Sequence, residues 1–175
     1  MKNLDWDLLI LVLVPLILTN VSHMYVVKKK LFSFLKKPIS KNLFGENKTW
    51  RGLCWITVVN SIIILPIGFI QDSILNVDEL LFLGAFFGLT YALFELPNSF
   101  IKRRLGVKSG QEADKNKCLF FFMDKSDSAL GVTIFLFLFN DNQTILSAVV
   151  TFFILVAIHS SISMLLVALK IKNRF

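Results

Sequence analysis

Five long apolar runs separated by polar stretches dominate the chain. A helix needs about 20 mostly apolar residues to cross the hydrocarbon core of a bilayer, where its backbone polar groups find no partners outside the helix. The pattern therefore predicts an all-α integral membrane protein that forms one membrane domain over residues 1–175. The predicted transmembrane helices, about five in number, cover residues 8–27, 53–70, 80–96, 119–139 and 144–169.

The overall composition agrees with this fold class. Of the 175 residues, 55% are hydrophobic and 18 are Phe, which is too apolar for a soluble domain that must cover its own surface with polar groups. A net charge of +7 would indicate nucleic-acid binding in a soluble protein, but the basic residues of a membrane protein first have to be sorted by loop. We expect membrane lipids, and not nucleic acid, to be the partners of these charges.

The basic residues are concentrated in residues 28–52, in residues 97–118 and in the carboxyl-terminal tail. The connections at 71–79 and 140–143 contain acidic residues and no Lys or Arg. Since Lys and Arg are retained on the cytoplasmic side, loops 28–52 and 97–118 are predicted to be cytoplasmic. The amino terminus then lies outside the cell membrane and the carboxyl terminus in the cytoplasm. Anchoring to anionic headgroups explains part of the charge, and residues 28–37 are a candidate interfacial helix.

Three acidic residues lie where apolar residues would be expected. Glu95 is near the end of the third run, and Asp124 and Asp127 are near the start of the fourth. A spacing of three places Asp124 and Asp127 on one helix face, where they repel each other unless a cation lies between them. Mg²⁺ suits this arrangement, because it binds one or two carboxylates together with water and phosphate oxygens. The alternative is a set of salt bridges to Lys125 or to the neighbouring arginines.

A second polar element follows the third run. Pro97 predicts a helix break, after which a new helix would begin at Asn98 and Ser99. The amino end of a helix receives phosphate oxygens, so this segment predicts a triphosphate pocket. A stop-transfer cluster of charges is the alternative. Fixed positive charge follows at Lys102, Arg103 and Arg104.

A third element lies in residues 45–52, before the second run. Its two glycines enclose Lys48, Thr49, Trp50 and Arg51. Lys48 and Arg51 would bind phosphate, and Trp50 would lie at the membrane interface or stack on a base. The segment is not a P-loop, because it lacks the glycine spacing of that motif.

Together, these elements resemble the CDP-archaeol synthase family, a branch of membrane CTP-dependent lipid cytidylyltransferases related to the phosphatidate cytidylyltransferases. The matching segments are residues 44–52, 95–106 and 124–128, and the resemblance runs from about Asn20 to the end of the chain. It implies five spans with an outside amino terminus, CTP as a substrate and Mg²⁺ as the cofactor. The implied product is a CDP-lipid, formed with release of pyrophosphate.

The resemblance also implies roles for individual residues. Asp124, Asp127 and Glu95 are the expected catalytic and metal-binding residues. In archaeal members Asp often stands in place of Glu95 and Gln in place of Lys125, and segment 95–98 looks more like the bacterial members. Lys125 either points away toward the headgroups or weakens metal binding. The residues expected to bind CTP and the lipid phosphate are Lys48, Thr49, Arg51, Asn98, Ser99, Lys102, Arg103 and Arg104.

The resemblance, together with the charged residues that carry it, implies a CTP-dependent cytidylyltransferase of phospholipid biosynthesis that converts an archaeol-type or phosphatidate-like lipid phosphate to a CDP-lipid. The lipid phosphate would attack the α-phosphorus of CTP, aligned by charged groups and without a covalent nucleophile. The alternatives are a CTP-dependent lipid kinase and a non-enzymatic small transporter or anionic-lipid-binding protein. His23 and His159 are expected to be packed, hydrogen-bonded residues without a catalytic role. Asn20 is either an interhelical hydrogen-bond partner or a pocket residue.

Overall fold

The computed structural model describes residues 5–111, 117–140 and 143–171. Within these ranges the fold is all-helical, and the only β pairing is an isolated bridge between Pro38 and Thr49. The prediction of an all-α fold is confirmed. A 3₁₀ turn at Ser33–Leu35 precedes the one short α-helix. In chain order the helices are α1 (Trp6–Lys28), α2 (Lys41–Phe44), α3 (Trp50–Ile70), α4 (Val77–Arg104), α5 (Lys117–Phe139) and α6 (Ile145–Ala168).

Each of the five long helices overlaps one predicted apolar run. Within the described part of the chain, α1, α3, α4 and α6 are long and apolar enough to cross a membrane. Helix α5 has 23 residues, but Asp124, Lys125 and Asp127 interrupt its apolar sequence. The charges of α5 lie in the half that follows the basic connection 97–118, which is the half that borders the site described below.

The structure corrects two predictions about the connections. The predicted break at Pro97 is wrong, because α4 continues through this residue to Arg104. A membrane helix tolerates proline where neighbouring groups satisfy the freed backbone. Asn98 and Ser99 therefore lie inside a helix and not at an amino end, and residues 97–104 are not a loop. The interfacial helix at residues 28–37 is also wrong, since only the 3₁₀ turn follows the end of α1 there.

Polar side chains cap the long helices where they begin. The Asp5 carboxylate accepts a hydrogen bond from the backbone N–H of Leu8 at 3.0 Å at the start of α1. Asn76 and Glu79 form a capping box at the start of α4. Such caps satisfy backbone N–H groups that the first helical turn leaves without partners. Thr49 caps α3, and this fixes Lys48 directly before that helix.

Helices α3 and α4 approach each other closely because two glycines of α4 face α3. A Cβ atom at Gly84 would lie 2.7 Å from Cα of Ser61, and one at Gly88 would lie 2.7 Å from the carbonyl oxygen of Ile56. Small residues allow this kind of backbone approach between membrane helices. Any larger side chain at either position would push the two helices apart.

Buried Asn60 joins three helices at this contact. Its Nδ2 donates to the carbonyl oxygen of Gly84 at 2.7 Å, and its Oδ1 accepts from the hydroxyl of Thr19 in α1 at 3.3 Å. Satisfying a buried amide on both sides avoids the cost of burying polar groups without partners. The hydrogen bonds hold α1, α3 and α4 in a fixed arrangement.

Helix α5 packs on α4 mainly through aromatic rings. The rings of Phe86 and Phe135 meet edge to face with centroids 4.9 Å apart, an arrangement favoured by the ring quadrupoles. One turn before Asn98, the ring of Phe94 packs directly on Gly131 of α5. This contact brings the polar ends of α4 and α5 together and thereby positions the candidate site.

Candidate active site

A polar cavity lies where the segment before α3 meets the polar ends of α4 and α5. Its volume is about 410 Å³. Helices α1, α3, α4, α5 and α6 all contribute to its walls. The predicted site residues that line it are Lys48, Thr49, Glu95, Asn98, Ser99, Lys102, Arg103, Asp124 and Asp127.

Asp124 and Asp127 converge on one amide group of α4. Nδ2 of Asn98 donates to Oδ1 of Asp124 at 2.7 Å and to Oδ2 of Asp127 at 3.0 Å. Lys102, one turn further along α4, places Nζ 2.6 Å from Oδ2 of Asp124. The other oxygen of Asp127 accepts from the backbone N–H of Ser128 at 2.7 Å. These donors offset the repulsion between two carboxylates on one helix face.

Glu95 forms an ion pair with Lys48 from the segment before α3. Both side chains are about a quarter exposed, at 26% and 27%. Burial lowers the pKa of the Lys48 ammonium, but the Glu95 carboxylate more than offsets this, so its pKa lies above its ordinary value. Lys48 therefore keeps its charge inside the cavity, and Glu95 is neutralised by a lysine that is 47 positions away in the sequence.

Arg103 of α4 lines the cavity, and two nitrogens of its guanidinium group are buried. In the described part of the chain, its Nε and Nη1 atoms have no hydrogen-bond partner. Leaving buried donors unpaired is costly, and a guanidinium group matches phosphate or carboxylate oxygens in pairs. The arrangement therefore suits an anionic ligand with several oxygens.

A glycine allows the preceding segment to approach Arg103. Gly45 has a φ of +86°, which favours glycine over other residues. A Cβ atom there would lie 2.9 Å from Oγ of Ser109 and 3.4 Å from Cδ of Arg103. A side chain at position 45 would thus collide with the residues around the guanidinium group.

Arg51 and Arg104, unlike Arg103, do not line the cavity. Arg51 is buried, and its Nη1 donates to the carbonyl oxygen of Leu31 at 3.1 Å, which ties the basic connection to the start of α3. The guanidinium carbon of Arg104 lies 5.0 Å from the centroid of the Phe100 ring. Neither arginine is among the described residues that line the cavity. Of the predicted site residues, these two therefore lie outside the lining of the cavity.

Comparison with known proteins connects this cavity to an enzyme family. The family model described as CarS-like, CDP-archaeol synthase, matches residues 4–175. The chain belongs to the CDP-archaeol synthase family. A CDP-archaeol synthase from Sulfolobus acidocaldarius is 26% identical to it over 161 residues, which make up 91% of this chain and 91% of that protein. No solved structure matches the chain.

Membership of the CDP-archaeol synthase family confirms the family assignment made from the sequence. It makes the protein an enzyme, a CTP-dependent cytidylyltransferase of lipid biosynthesis, with CTP and a lipid phosphate as substrates. The apolar helices make it a multi-pass membrane protein. The alternative of a non-enzymatic transporter or lipid-binding protein is therefore wrong.

In this chain, the carboxylates of Asp124 and Asp127 fit the Mg²⁺ ion that the resemblance to the CDP-archaeol synthase family implies. Mg²⁺ prefers oxygen ligands, and an oxygen of Asp124 and one of Asp127 both lie within 3.0 Å of the same Asn98 nitrogen. Oδ1 of Asn98 is buried without a hydrogen-bond partner among the described residues. Those residues contain no group of three His, Cys, Asp or Glu side chains placed to hold a metal. Water and phosphate oxygens would complete the ligand set of the two aspartates.

Lys125, the residue between the paired aspartates, is buried. Only 4% of it is exposed, and its Nζ lies 5.6 Å from the centroid of the Phe121 ring. It also contributes to the lining of the cavity. The alternative in which Lys125 points away toward the lipid headgroups is therefore wrong, and Lys125 is part of the cavity wall.

Tyr91 was not among the predicted site residues, and His159 was expected to be a packed, hydrogen-bonded residue without a catalytic role. The hydroxyl oxygen of Tyr91 lies 3.1 Å from Nδ1 of His159, which confirms that His159 is a hydrogen-bonded residue. Both residues line the cavity, as do His23 and Asn20 of α1. The interpretation of Asn20 as a pocket residue is confirmed. A tyrosine one helical turn before Glu95, within an apolar run, was the signal available in the sequence.

Proposed function

We propose that the protein transfers the cytidylyl group of CTP to an archaeol-type or phosphatidate-like lipid phosphate and releases pyrophosphate, as a step of phospholipid biosynthesis. Family membership supports the reaction class. The cavity supports the pair of substrates, because cations and carboxylates lie together at the polar end of an apolar helix bundle. Such a position is accessible both to a soluble nucleotide and to a phosphate attached to membrane-embedded chains.

The guanidinium group of Arg103 is the observation that carries this proposal. It is fixed on α4, faces the cavity and has two buried nitrogens without partners among the described residues. Oxygens of the CTP triphosphate would accept hydrogen bonds from both nitrogens, because a guanidinium group matches phosphate oxygens in pairs. Lys102, which directly precedes Arg103 on α4 and forms an ion pair with Asp124, adds a second cation to the same wall.

In the proposed reaction the residues of the cavity bind and align, and none forms a covalent intermediate. An oxygen of the lipid phosphate forms a bond to the α-phosphorus of CTP. The bond from this phosphorus to the oxygen that bridges to the β-phosphorus breaks, and pyrophosphate leaves with that electron pair. Arg103 and Lys102 offset the charge on the triphosphate, and Lys48 prevents Glu95 from repelling the incoming phosphates.

We also propose Mg²⁺ as the cofactor, held by Asp124 and Asp127. When bound, it supplies neutralisation of the triphosphate charge. Asn98 keeps the two carboxylates facing the cavity through its hydrogen bonds. Glu95 contributes less directly, since Lys48 already engages its carboxylate.

The proposed topology places the cavity on the cytoplasmic side, where CTP is available. The amino terminus is outside and the carboxyl terminus is cytoplasmic, as the distribution of Lys and Arg favours. The short turn between α3 and α4, which contains Asp72, then lies on the outer side. The cell membrane is the proposed location.

The direct test is product identification by mass. Purified protein is incubated with CTP, Mg²⁺ and a panel of lipid phosphates that differ in ether or ester linkage, and a CDP-lipid and pyrophosphate are expected. Replacing CTP by ATP is the matched control and should give no nucleotidyl-lipid. Absence of a CDP-lipid with every acceptor, in a preparation that remains folded, would contradict the proposal.

A further inference from the structure

Tyr91 on α4 and His159 on α6 form a polar pair inside the helix bundle. The Tyr91 hydroxyl oxygen and Nδ1 of His159 are 3.1 Å apart, and Tyr91 is only 7% exposed. Helix α6 is otherwise strongly apolar, with a mean hydropathy of 2.3. An ionisable residue in such a helix is costly and is typically retained where it serves a site.

The pair lies at the junction of two cavities. It lines the polar cavity together with Glu95 and Asp127. It also lines a small crevice between α1, α5 and α6, with a volume of about 40 Å³, whose walls are mainly apolar and include Leu16 and Ile158. The described residues that belong to both cavities are Asn20, Tyr91 and His159. These three side chains therefore mark where polar and apolar surroundings meet.

This junction distinguishes the two substrates of the proposed reaction. CTP has no apolar chain, and its triphosphate is attracted to Arg103 and Lys102 at the polar wall. A lipid phosphate must keep its chains in apolar surroundings while its phosphate reaches the polar cavity. A lipid whose chains lie outside the bundle, along the opening of the crevice formed by α1, α5 and α6, would place its phosphate and glycerol oxygens beside His159 without its chains filling the crevice.

We propose that His159 binds the phosphate end of the lipid acceptor and that Tyr91 orients the His159 ring for this contact. The inference rests on the proposed function and adds the residues that hold the second substrate. Neither residue forms a covalent bond or transfers a proton in this account. Asn20, on the facing side of the junction, supplies a further polar group for the glycerol oxygens.

The test compares His159→Ala, His159→Asn and Tyr91→Phe with the parent enzyme in detergent micelles that contain the lipid phosphate turned over by the parent. We expect His159→Ala and Tyr91→Phe to raise the KM for the lipid phosphate about tenfold, the effect of losing a hydrogen bond to a charged group. The affinity for CTP, measured by equilibrium binding without lipid, should stay within about twofold. Asn keeps a polar atom near the position of Nδ1, which contacts Tyr91, but has none near Nε2, the other ring nitrogen, so His159→Asn should also raise the KM for the lipid phosphate.

The matched control is Ser161→Ala. Ser161 lies on the same helix, is exposed and donates to the carbonyl oxygen of Ala157 at 2.9 Å, so this variant should keep both substrate affinities. An unchanged lipid KM in active His159→Ala and Tyr91→Phe enzymes would overturn the inference and leave the proposed function intact. A weakened affinity for CTP with an unchanged lipid KM would also overturn it. If His159→Ala does not fold, Tyr91→Phe and His159→Asn decide by the same criteria.

Discussion

Lys102 on α4 and Asp124 on α5 form an ion pair in which Nζ lies 2.6 Å from Oδ2. Asn98, one turn earlier on α4, donates to the same carboxylate and to Asp127. One face of α4 thus holds both aspartates of α5 toward the cavity. The arrangement explains how a membrane-embedded helix accommodates two acids three residues apart, and it defines which substitutions test the site.

The paired aspartates are expected to be individually required. Asn at position 124 or 127 keeps the size and polarity of the side chain but removes the charge that attracts Mg²⁺. We expect Asp124→Asn and Asp127→Asn to lower turnover about 100-fold or more, the scale seen when one preorganised electrostatic group is removed. Steady-state rates over a range of Mg²⁺ concentrations measure this, and added Mg²⁺ should rescue the variants only in part.

Asp72→Asn is the matched control for these variants. Asp72 is exposed in the turn between α3 and α4 with a φ of +48°, a conformation that Asn adopts readily. It should keep the parental rate, and Glu95→Gln should have an effect between those of the control and the aspartate variants. Parental turnover and unchanged Mg²⁺ dependence in both aspartate variants would show that the two acids are structural.

Arg103 and Arg104 are expected to differ although they are adjacent. Lys retains the positive charge but not the planar group that contacts two phosphate oxygens. Arg103→Lys should lower kcat/KM for CTP about tenfold, because it loses paired contacts to a charged ligand. Arg104→Lys should remain near the parental value, since Arg104 lies against Phe100 outside the cavity. Parental kcat/KM in both Lys variants would indicate that the charges act only in membrane anchoring, because Lys keeps the positive charge.

The topology is tested with single cysteines on opposite sides of the membrane. In a variant without Cys54 and Cys118, Asp72→Cys should react with a membrane-impermeant thiol reagent in intact cells. Lys108→Cys, placed after the end of α4, should react only after permeabilisation. This outcome follows from the retention of Lys and Arg on the cytoplasmic side. Labelling of position 72 exclusively from the cytoplasmic side would contradict the topology.

The close contact of α3 and α4 predicts a stability effect. Gly84→Ala introduces a Cβ atom 2.7 Å from Cα of Ser61, and backbone atoms cannot move aside without separating the helices. We expect the free energy of unfolding to fall by about 1–3 kcal/mol, as in other overpacked interiors. A lower unfolding temperature in detergent measures this loss. Leu89→Ala, at a partly lipid-facing position of the same helix, should have a smaller effect. Equal unfolding temperatures for Gly84→Ala and the parent would contradict the packing account.

The positions of the long helices could be predicted because membrane spans are encoded locally in apolar runs. The predicted span 8–27 corresponds to Trp6–Lys28, and the predicted span 144–169 to Ile145–Ala168. The break at Pro97 could not be judged in this way. A proline disfavours helix in isolation, and only the packing around α4 determines that the helix continues.

Several charged residues that line the cavity could be named from the sequence, but the ion pairs between them could not. The spacing of Asp124 and Asp127 placed them on one face, and the structure agrees. The ion pair of Lys48 with Glu95 joins positions far apart in the sequence, so it depends on how α3 packs on α4. Tyr91 was missed for the same reason, because only the position of α6 makes it a partner of His159.

The placement of label from CTP tests the central claim most directly. CTP labelled at the α-phosphorus and CTP labelled at the γ-phosphorus are incubated separately with the purified enzyme, Mg²⁺ and a lipid phosphate, and the lipid fraction is counted. Cytidylyl transfer predicts label in the lipid from the α-phosphorus only, with the γ-label recovered in pyrophosphate. Lipid labelled from the γ-phosphorus and not from the α-phosphorus would contradict the account and identify the protein as a CTP-dependent lipid kinase.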